Sequence, residues 1–402
     1  MKFLAKMKIF WHKVLLRLFR KYQICVPNCP YDADTPHYDI NSRLFIFRGS
    51  YREIGRQYCR AISMEGELRR AREYIYSLDR HSRGKLRREI ENAKEMIKKN
   101  FSQLFEMMRG ACDVHVRYSI DEIMLLTFSS VLTDWQTFRA CSAISVLRAG
   151  RPLLGQNLDL GCTNATALAY LIPEDGCAVL THVNPETLWF TVGVNEFGFS
   201  VTGASVNVDR ENIFSGALFP TEILLSCILW QARDVRSACG LLKKLLPVGP
   251  FNQGANLILA DKSGDVKNVE IAGDALGFNS RDINPWIATN HFRTPGLCRI
   301  NRHDDRMSIM LEENSIARYK FARSIFQKGL FDSLAVANLL RGENPPGAWC
   351  RRARGKDSGY TTASYIIDFA NTKFHYWLGV SAQKEGNNFF DLDLLYQRMV
   401  SA

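Results

Sequence analysis

A thiol and a carboxylate bracket the stretch CSAISVLRAGRPLLGQNLD: Cys141 and, eighteen positions on, Asp159. Two largely apolar runs flank a turn-like Arg148-Ala149-Gly150-Arg151. The stretch is therefore expected to fold back as an antiparallel hairpin centred on Gly150, with its two ends side by side. A cysteine becomes a nucleophile only when something takes its proton, because a free thiol has a pKa of about 8.5. No histidine lies near this hairpin in sequence. A free α-amino group, with a pKa of about 7.7–8.0, suits the general-base role instead. Cys141 acquires one if the Ala140–Cys141 bond is cut. The same thiol can attack the Ala140 carbonyl, form a thioester and leave water to finish the cut. A cysteine that opens a strand is otherwise a small buried hydrophobe, so the rest of the chain has to discriminate.

The bulk properties narrow the field. The chain has 402 residues, 46% hydrophobic and 23% charged, enough to bury a large core. No uncharged apolar run is long enough to span a bilayer. The 11 cysteines are scattered without paired CxxC sets, which argues against a disulfide framework and for a reducing compartment. The eight histidines form no HExxH pattern, and neither a metal nor another cofactor is implied. The net charge is +11, but Lys2, Lys6, Lys8, Lys13, Arg17, Arg20 and Lys21 precede the first acid, Asp32. The basic balance is thus mainly a property of the N-terminal segment, and no nucleic-acid partner is indicated.

Residues 1–22 read as a basic amphipathic helix, with Phe3, Met7, Phe10, Trp11, Val14, Leu15 and Leu18 at helical spacing. Two readings are open: a helix on an anionic membrane surface, or one packed on its own fold or a partner. Residues 23–42, with Pro27, Pro30 and Pro36, read as a linker. From Ser50 to about Phe138 the pattern is helical, broken near residues 79–84, and its arginines read as a solvated face. After Cys141 the texture turns to strands. Three further hairpins are expected around residues 195–198, 261–264 and 370–373, with helical segments near 220–246 and 316–341. Hairpins and helices in separate blocks predict an α+β protein.

Several of these stretches, in order, resemble the acyl-coenzyme A:6-aminopenicillanate acyltransferase family of cysteine N-terminal-nucleophile hydrolases. LFIFRGSYREIGRQYCRAI is similar to that family's Gly-x-x-x-Glu-x-Gly opening. CSAISVLRAGRPLLGQNLDLG resembles its nucleophile strand with the Gly-Gln-Asn-x-Asp ending. VGVNEFGFSVTG, NQGANLILADKSGDVKNVEIAG and IATNHF follow in the family's order. The resemblance covers about residues 44–400. It implies a four-layer αββα fold with a helical N-terminal prodomain segment. It also implies Cys141 as nucleophile, Asp159 as the carboxylate that holds the freed amine, and Asn290 as an oxyanion donor. Asn207 and His291 are further candidates for oxyanion or substrate contacts, His291 with a structural turn role as the competing reading. Two departures stand out. Ala140 occupies the position before the nucleophile where the fungal acyltransferase has glycine. Ser358 stands where the family member compared has an arginine before the glycine of the last hairpin, with Arg351, Arg352, Arg354 and Lys356 upstream as substitutes.

These readings combine into one expectation. A basic segment, 1–43, precedes a helical part, 44–140, and a catalytic αββα part, 141–402. Self-cleavage between Ala140 and Cys141 produces two chains that stay associated as a heterodimer. The mature enzyme acts on a small acylated amine or acyl thioester through a thioester acyl-enzyme, by hydrolysis or transfer. It is expected in the cytoplasm, peripheral at a membrane if the basic helix binds one. The alternatives are an acid ceramidase-like lipid amidase and an uncleaved, inactive membrane-surface binding protein.

Overall fold

A computed structural model describes residues 44–62, 64–127, 141–160, 167–183, 188, 190, 192–208, 221–248, 251–279, 284–300, 306–327, 329, 331–342, 347–350, 360–378 and 388–393. The basic segment, Ala140 and the basic loop with Arg351, Arg352, Arg354 and Lys356 lie outside the described residues.

The chain enters through a strand, β1 (Leu44–Gly49), and turns at once into a helix, α1 (Tyr51–Ala61). Ser50 caps α1: its side chain accepts from the Glu53 N–H while the Glu53 carboxylate accepts from the Ser50 N–H, a reciprocal pair worth about 1 kcal/mol. Four more helices follow: α2 (Glu65–Ser77), α3 (Arg80–Asn100), α4 (Ser102–Val114) and α5 (Ile120–Thr127). The break between α2 and α3 falls slightly earlier than the composition suggests. Asp79 accepts from the Ser82 N–H at 2.9 Å, so the second helix restarts at Arg80. Arg69, Arg80, Arg87 and Arg88 face solvent, as a solvated face requires.

Helix α1 crosses α4 without any intervening side chain. A methyl on Gly55 would overlap the main chain of Met107, and one on Gly110 would overlap the Arg52 carbonyl. Arg52 and Arg56 close the same crossing by holding Asp113 at 2.7 and 2.6 Å. The Gly-x-x-x-Glu-x-Gly opening is therefore accounted for by a turn, a cap and a helix crossing.

The remaining strands build two sheets. The first has eight strands in the order β1-β4-β5-β6-β7-β8-β9-β10, with β4 (Ala167–Pro173), β5 (Val179–Val183), β6 (Gly193–Asn195), β7 (Phe199–Val206), β8 (Phe251–Asp261), β9 (Val266–Gly273) and β10 (Ala275–Phe278). Its pairings are antiparallel except that β1 runs parallel to β4. The second sheet has six strands in the order β11-β2-β3-β12-β13-β14: β2 (Ser142–Arg148), β3 (Arg151–Leu160), β11 (Trp286–Ala288), β12 (Tyr360–Asp368), β13 (Lys373–Leu378) and β14 (Asn388–Asp391). All four hairpins expected from the turn residues form. The sequence reading does not include the β4–β5 hairpin, although its loop carries the turn pair Asp175-Gly176, nor strands β1, β10, β11 and β14.

Three apolar clusters separate four layers. Helices α1–α5, with α6 (Thr221–Gln231) and α7 (Val235–Leu245), cover one face of the eight-stranded sheet through Ile54, Met107, Val179, Leu224 and Leu257. The two sheets meet through Ala143, Leu154, Leu180, Val194, Ile258 and Ile367. Helices α8 (Arg306–Phe326) and α9 (Ser333–Arg341) cover the six-stranded sheet through Ile144, Val146, Phe326, Val336 and Ile366. Helix α8 begins ten residues earlier than the periodicity suggests. Strand β2 alternates between two covered faces, Ala143 inward and Ile144 outward, so it lacks the polar alternation of a half-exposed strand. This is the four-layer αββα order implied by the resemblance. Among the described residues no helix is long and apolar enough to cross a membrane, and no cluster of histidine, cysteine or acidic residues could hold a metal ion.

Candidate active site

The hairpin that opens the sequence argument forms, with a register one step from that expected. Ser142 pairs with Asn157 and Arg148 with Arg151, so the turn is the two-residue Ala149-Gly150. Both residues have positive φ, 49° and 74°, the geometry of a tight hairpin turn that matches strand twist. Extended by one residue, this register sets Leu158 opposite Cys141, with Asp159 one position further along β3. The Cys141 thiol reaches the main-chain carbonyl of Asp159 at 4.0 Å.

Every residue of Gly155-Gln156-Asn157-Leu158-Asp159 has a separate task. A methyl on Gly155 would come within 2.5 Å of Val336 on α9. The Gln156 amide donates to the Gly203 carbonyl at 2.8 Å and accepts from its N–H at 3.3 Å, tying β3 to β7 of the other sheet. The Asn157 amide donates to the carbonyls of Leu340 and Trp349 and accepts from Ser364. Leu158 packs between the sheets with Cys141. Asp159, fully buried, accepts from the Thr361 hydroxyl at 2.7 Å. A register irregularity between Thr361 and Ala363 makes that contact possible: Thr361 turns to the carboxylate while Thr362 donates to the Leu158 carbonyl at 3.1 Å.

Asn290 stands two residues beyond the end of β11, and β11 is hydrogen-bonded to β2. Its Nδ2 donates to the Ser205 carbonyl near the end of β7 at 2.6 Å. The loop is braced from the eight-stranded sheet. Asn256 donates to the carbonyls of Thr289 and His291, both at 3.2 Å, and Asn268 donates to Asn256 at 2.9 Å. The Glu270 carboxylate accepts from the N–H groups of Arg293 and Thr294. Arg293 in turn donates to Asn268 at 2.9 Å and lies over the Tyr319 ring. The NQGANLILADKSGDVKNVEIAG stretch thus supports the loop that carries Asn290.

His291 is occupied by that bracing. Its Nδ1 lies 3.1 Å from Thr289 Oγ1 and 2.8 Å from Ser315 Oγ, and its ring packs edge-on against Tyr319. Burial first, then the cations Arg293 and Arg318, push its pKa down to about 4. These contacts fasten the loop that carries Asn290. Asn207 stands one residue beyond β7, exposed, two positions from the Ser205 carbonyl that Asn290 uses.

Two residues join the site that the sequence reading did not single out. Thr361 is one. The other is Arg318 on α8, only 1% exposed. It donates to the Cys141 carbonyl at 3.0 Å, to the Ser142 hydroxyl, to Asn290 Oδ1 at 2.7 Å and to Asn314 Oδ1 at 3.0 Å. A signal for it did exist. Ser315, Arg318, Ala322 and Phe326 recur at helical spacing on the buried face of α8, so this arginine stands in an apolar stripe. For Thr361 the signal is a pair of threonines where the strand alternation would place one.

The ends of β3, β7 and β11 and the starts of β2 and β12 thus meet at one edge of the two sheets. They gather a thiol, a buried carboxylate, an amide donor and a guanidinium. No family model matches the chain, and no curated protein does. Solved structures similar to it include a mutant of the conjugated bile acid hydrolase from Clostridium perfringens, 14% identical, over 64% of this chain and 94% of that one, with a TM-score of 0.40. They also include the Caenorhabditis elegans ortholog of N-acylethanolamine-hydrolyzing acid amidase, 14% identical, over 56% and 92%, TM-score 0.35. Penicillin V acylase from Agrobacterium tumefaciens is 13% identical, over 63% and 86%, TM-score 0.35. At such scores the likeness carries no argument; the fold assignment rests on the layers and sheet orders above.

Proposed function

We propose that the chain is a cysteine amidohydrolase of the N-terminal-nucleophile type. It cuts itself before Cys141 and then takes the acyl group from a small acylated amine. The observation that carries this reading is the convergence of Cys141, Asp159, Asn290 and Arg318 at one edge of an αββα sandwich, with Cys141 just ahead of β2.

In the mature enzyme the freed α-amine of Cys141 accepts the proton of its own thiol. Asp159, fixed by Thr361, holds the resulting ammonium. The thiolate attacks the substrate carbonyl, and the carbonyl electron pair moves to oxygen. Asn290 Nδ2–H stabilises that oxyanion, a contribution of about 3 kcal/mol for one such donor. Collapse expels the amine, which takes the proton from the α-ammonium and leaves a thioester on Cys141. Water, deprotonated by the α-amine, hydrolyses the thioester and regenerates the thiol; an acceptor amine in its place gives transfer.

The fold supports the retention of both products of the cut. Strand β1 lies before the cut and pairs with β4 across Leu44–Gly49 and Leu168–Pro173, while α1–α5 share the core of the eight-stranded sheet. The test is a denaturing gel with N-terminal sequencing. Two co-purifying chains, the second beginning at Cys141, are expected from the native protein, and one uncut, inactive chain from Cys141→Ala. A cut at the same bond in the alanine variant would show an external protease at work. A single intact wild-type chain without turnover would leave a binding protein instead.

A further inference from the structure

Arg318 lies where two parts of the proposed reaction meet. On one side it donates to the carbonyl of Cys141, so it restrains the main chain of the nucleophile itself. On the other it donates to Oδ1 of Asn290. An amide side chain can present either its oxygen or its nitrogen to a neighbour, and the hydrogen-bond network decides which. A guanidinium has only donors, so the atom of Asn290 that meets Arg318 has to be the oxygen. The nitrogen then faces the other way, towards the Ser205 carbonyl at 2.6 Å. That carbonyl takes one of the two Nδ2 hydrogens. The second stays available as a donor.

We propose that Arg318 is a positioning residue that locks the Asn290 amide in its donating orientation and couples its placement to that of Cys141. The inference rests on the amidohydrolase reading above and adds to it the origin of the oxyanion donor's orientation. The planar fork matters here. Arg318 spans acceptors on β2, on the loop after β11 and on α8 itself, which a single ammonium on a flexible stem cannot do. The helix bearing it is held as well, since the Trp349 indole N–H donates to the Arg318 carbonyl at 3.1 Å. The resemblance led to an arginine expected just before the last hairpin, where Ser358 stands. Here a buried guanidinium reaches the nucleophile from α8, a different element.

A structural brace would make the same hydrogen bonds, so the test has to read chemistry apart from folding. The experiment compares matured wild type with Arg318→Lys, Asn290→Ala and the double variant, measuring kcat and KM separately beside the melting temperature. Arg318→Lys is expected to lower kcat about 10- to 100-fold with KM little changed, Asn290→Ala about 10²- to 10³-fold. The double variant is expected to fall by clearly less than the product of the two single effects, because much of what the arginine does it does through that amide. Multiplying effects would overturn the proposal. Asn290→Asp supplies a second measurement that leaves Arg318 untouched. A carboxylate still accepts from Arg318 but cannot donate, either to the Ser205 carbonyl or to an oxyanion, so kcat is expected to collapse as for alanine while the melting temperature reads the cost of the lost Ser205 bond. An Asn290→Asp enzyme with wild-type kcat would overturn the proposal even if Arg318→Lys fails to fold. If the wild-type protein neither cuts itself nor turns over an amide, the amidohydrolase reading falls first and takes this inference with it; an active wild type with an active Asn290→Asp sinks the inference alone.

Discussion

Two stretches that open on glycine carry a carboxylate four residues on: Gly49-Ser50-Tyr51-Arg52-Glu53-Ile54-Gly55 and Gly155-Gln156-Asn157-Leu158-Asp159. In sequence both look like parts of a site. In space they differ. Glu53 closes a helix cap on the surface of the fold, and Gly55 permits a helix crossing. Asp159 is fully buried, its main-chain carbonyl 4.0 Å from the Cys141 thiol, while its neighbours Gly155, Gln156 and Asn157 hold β3 to a helix, to the other sheet and to the segment around Trp349. One stretch is architecture throughout. The other is architecture around a single chemical group. A motif that recurs in a family therefore does not mark its residues as catalytic; the partners of each side chain decide that.

The largest effect expected on this contrast is at Gly55. Gly55→Val forces a branched side chain into the Met107 main chain, which cannot shift as a side-chain tip can, and should cost about 3 kcal/mol or more. Little folded protein should accumulate, and circular dichroism should show a lowered or absent melting transition. A variant with a wild-type melting temperature and normal self-cleavage would remove the crossing from the account.

Asp159→Asn should show the reverse signature. The side chain keeps its size and still accepts from Thr361, so the melting temperature should change little, while turnover falls about 10²-fold or more because the charge that holds the α-ammonium is gone. Stopped assays on matured protein, alongside thermal melts, separate the two. Normal turnover would place Asp159 with its architectural neighbours.

A smaller effect comes from two buried histidines, one in the core between the sheets and one in the loop that carries Asn290. Burial pushes the His182 pKa down to about 3, and burial with Arg293 and Arg318 pushes that of His291 down to about 4. Both lie below the ordinary value of 6.5, so the unfolded chain binds more protons in the intervening window. The stability each neutral ring contributes is complete above about pH 6.5 and is lost as pH falls, down to about 4 for His291 and about 3 for His182. Each can contribute up to about 1.4 kcal/mol per pH unit there. Melting temperatures should decline through this window, and His182→Phe should flatten the decline without altering kcat at neutral pH. A decline of unchanged slope in that variant would assign the acid sensitivity elsewhere.

Local chemistry made much of this molecule legible from its sequence. Turn residues located four hairpins, because Asn195, Asp261 and Asp368 each fold their own backbone: Asn195 Oδ1 accepts from the N–H groups of Phe197 and Phe199, Asp261 from Ser263, and Asp368 from Ala370 and Asn371. Helical periodicity located the N-terminal block, because an amphipathic face repeats within a few residues. The block order of hairpins and helices pointed to α+β, and the motif order led to Cys141, Asp159 and Asn290. Other features depended on contacts between distant segments. The register of β2 against β3 followed from a two-residue turn with both φ angles positive, which Ala149 does not advertise. Strand β1 owes its place to parallel pairing with β4, far along the chain. The role of His291 turned on Ser315, and the hold on Asp159 on Thr361, 202 residues away. Arg318 meets Cys141 across 177 residues, and no local pattern encodes such a meeting. Hydrogen bonds within a turn or a cap are written in neighbouring residues. Those that assemble the site join the ends of separate strands, and only the packing of the two sheets and their helices brings those ends together.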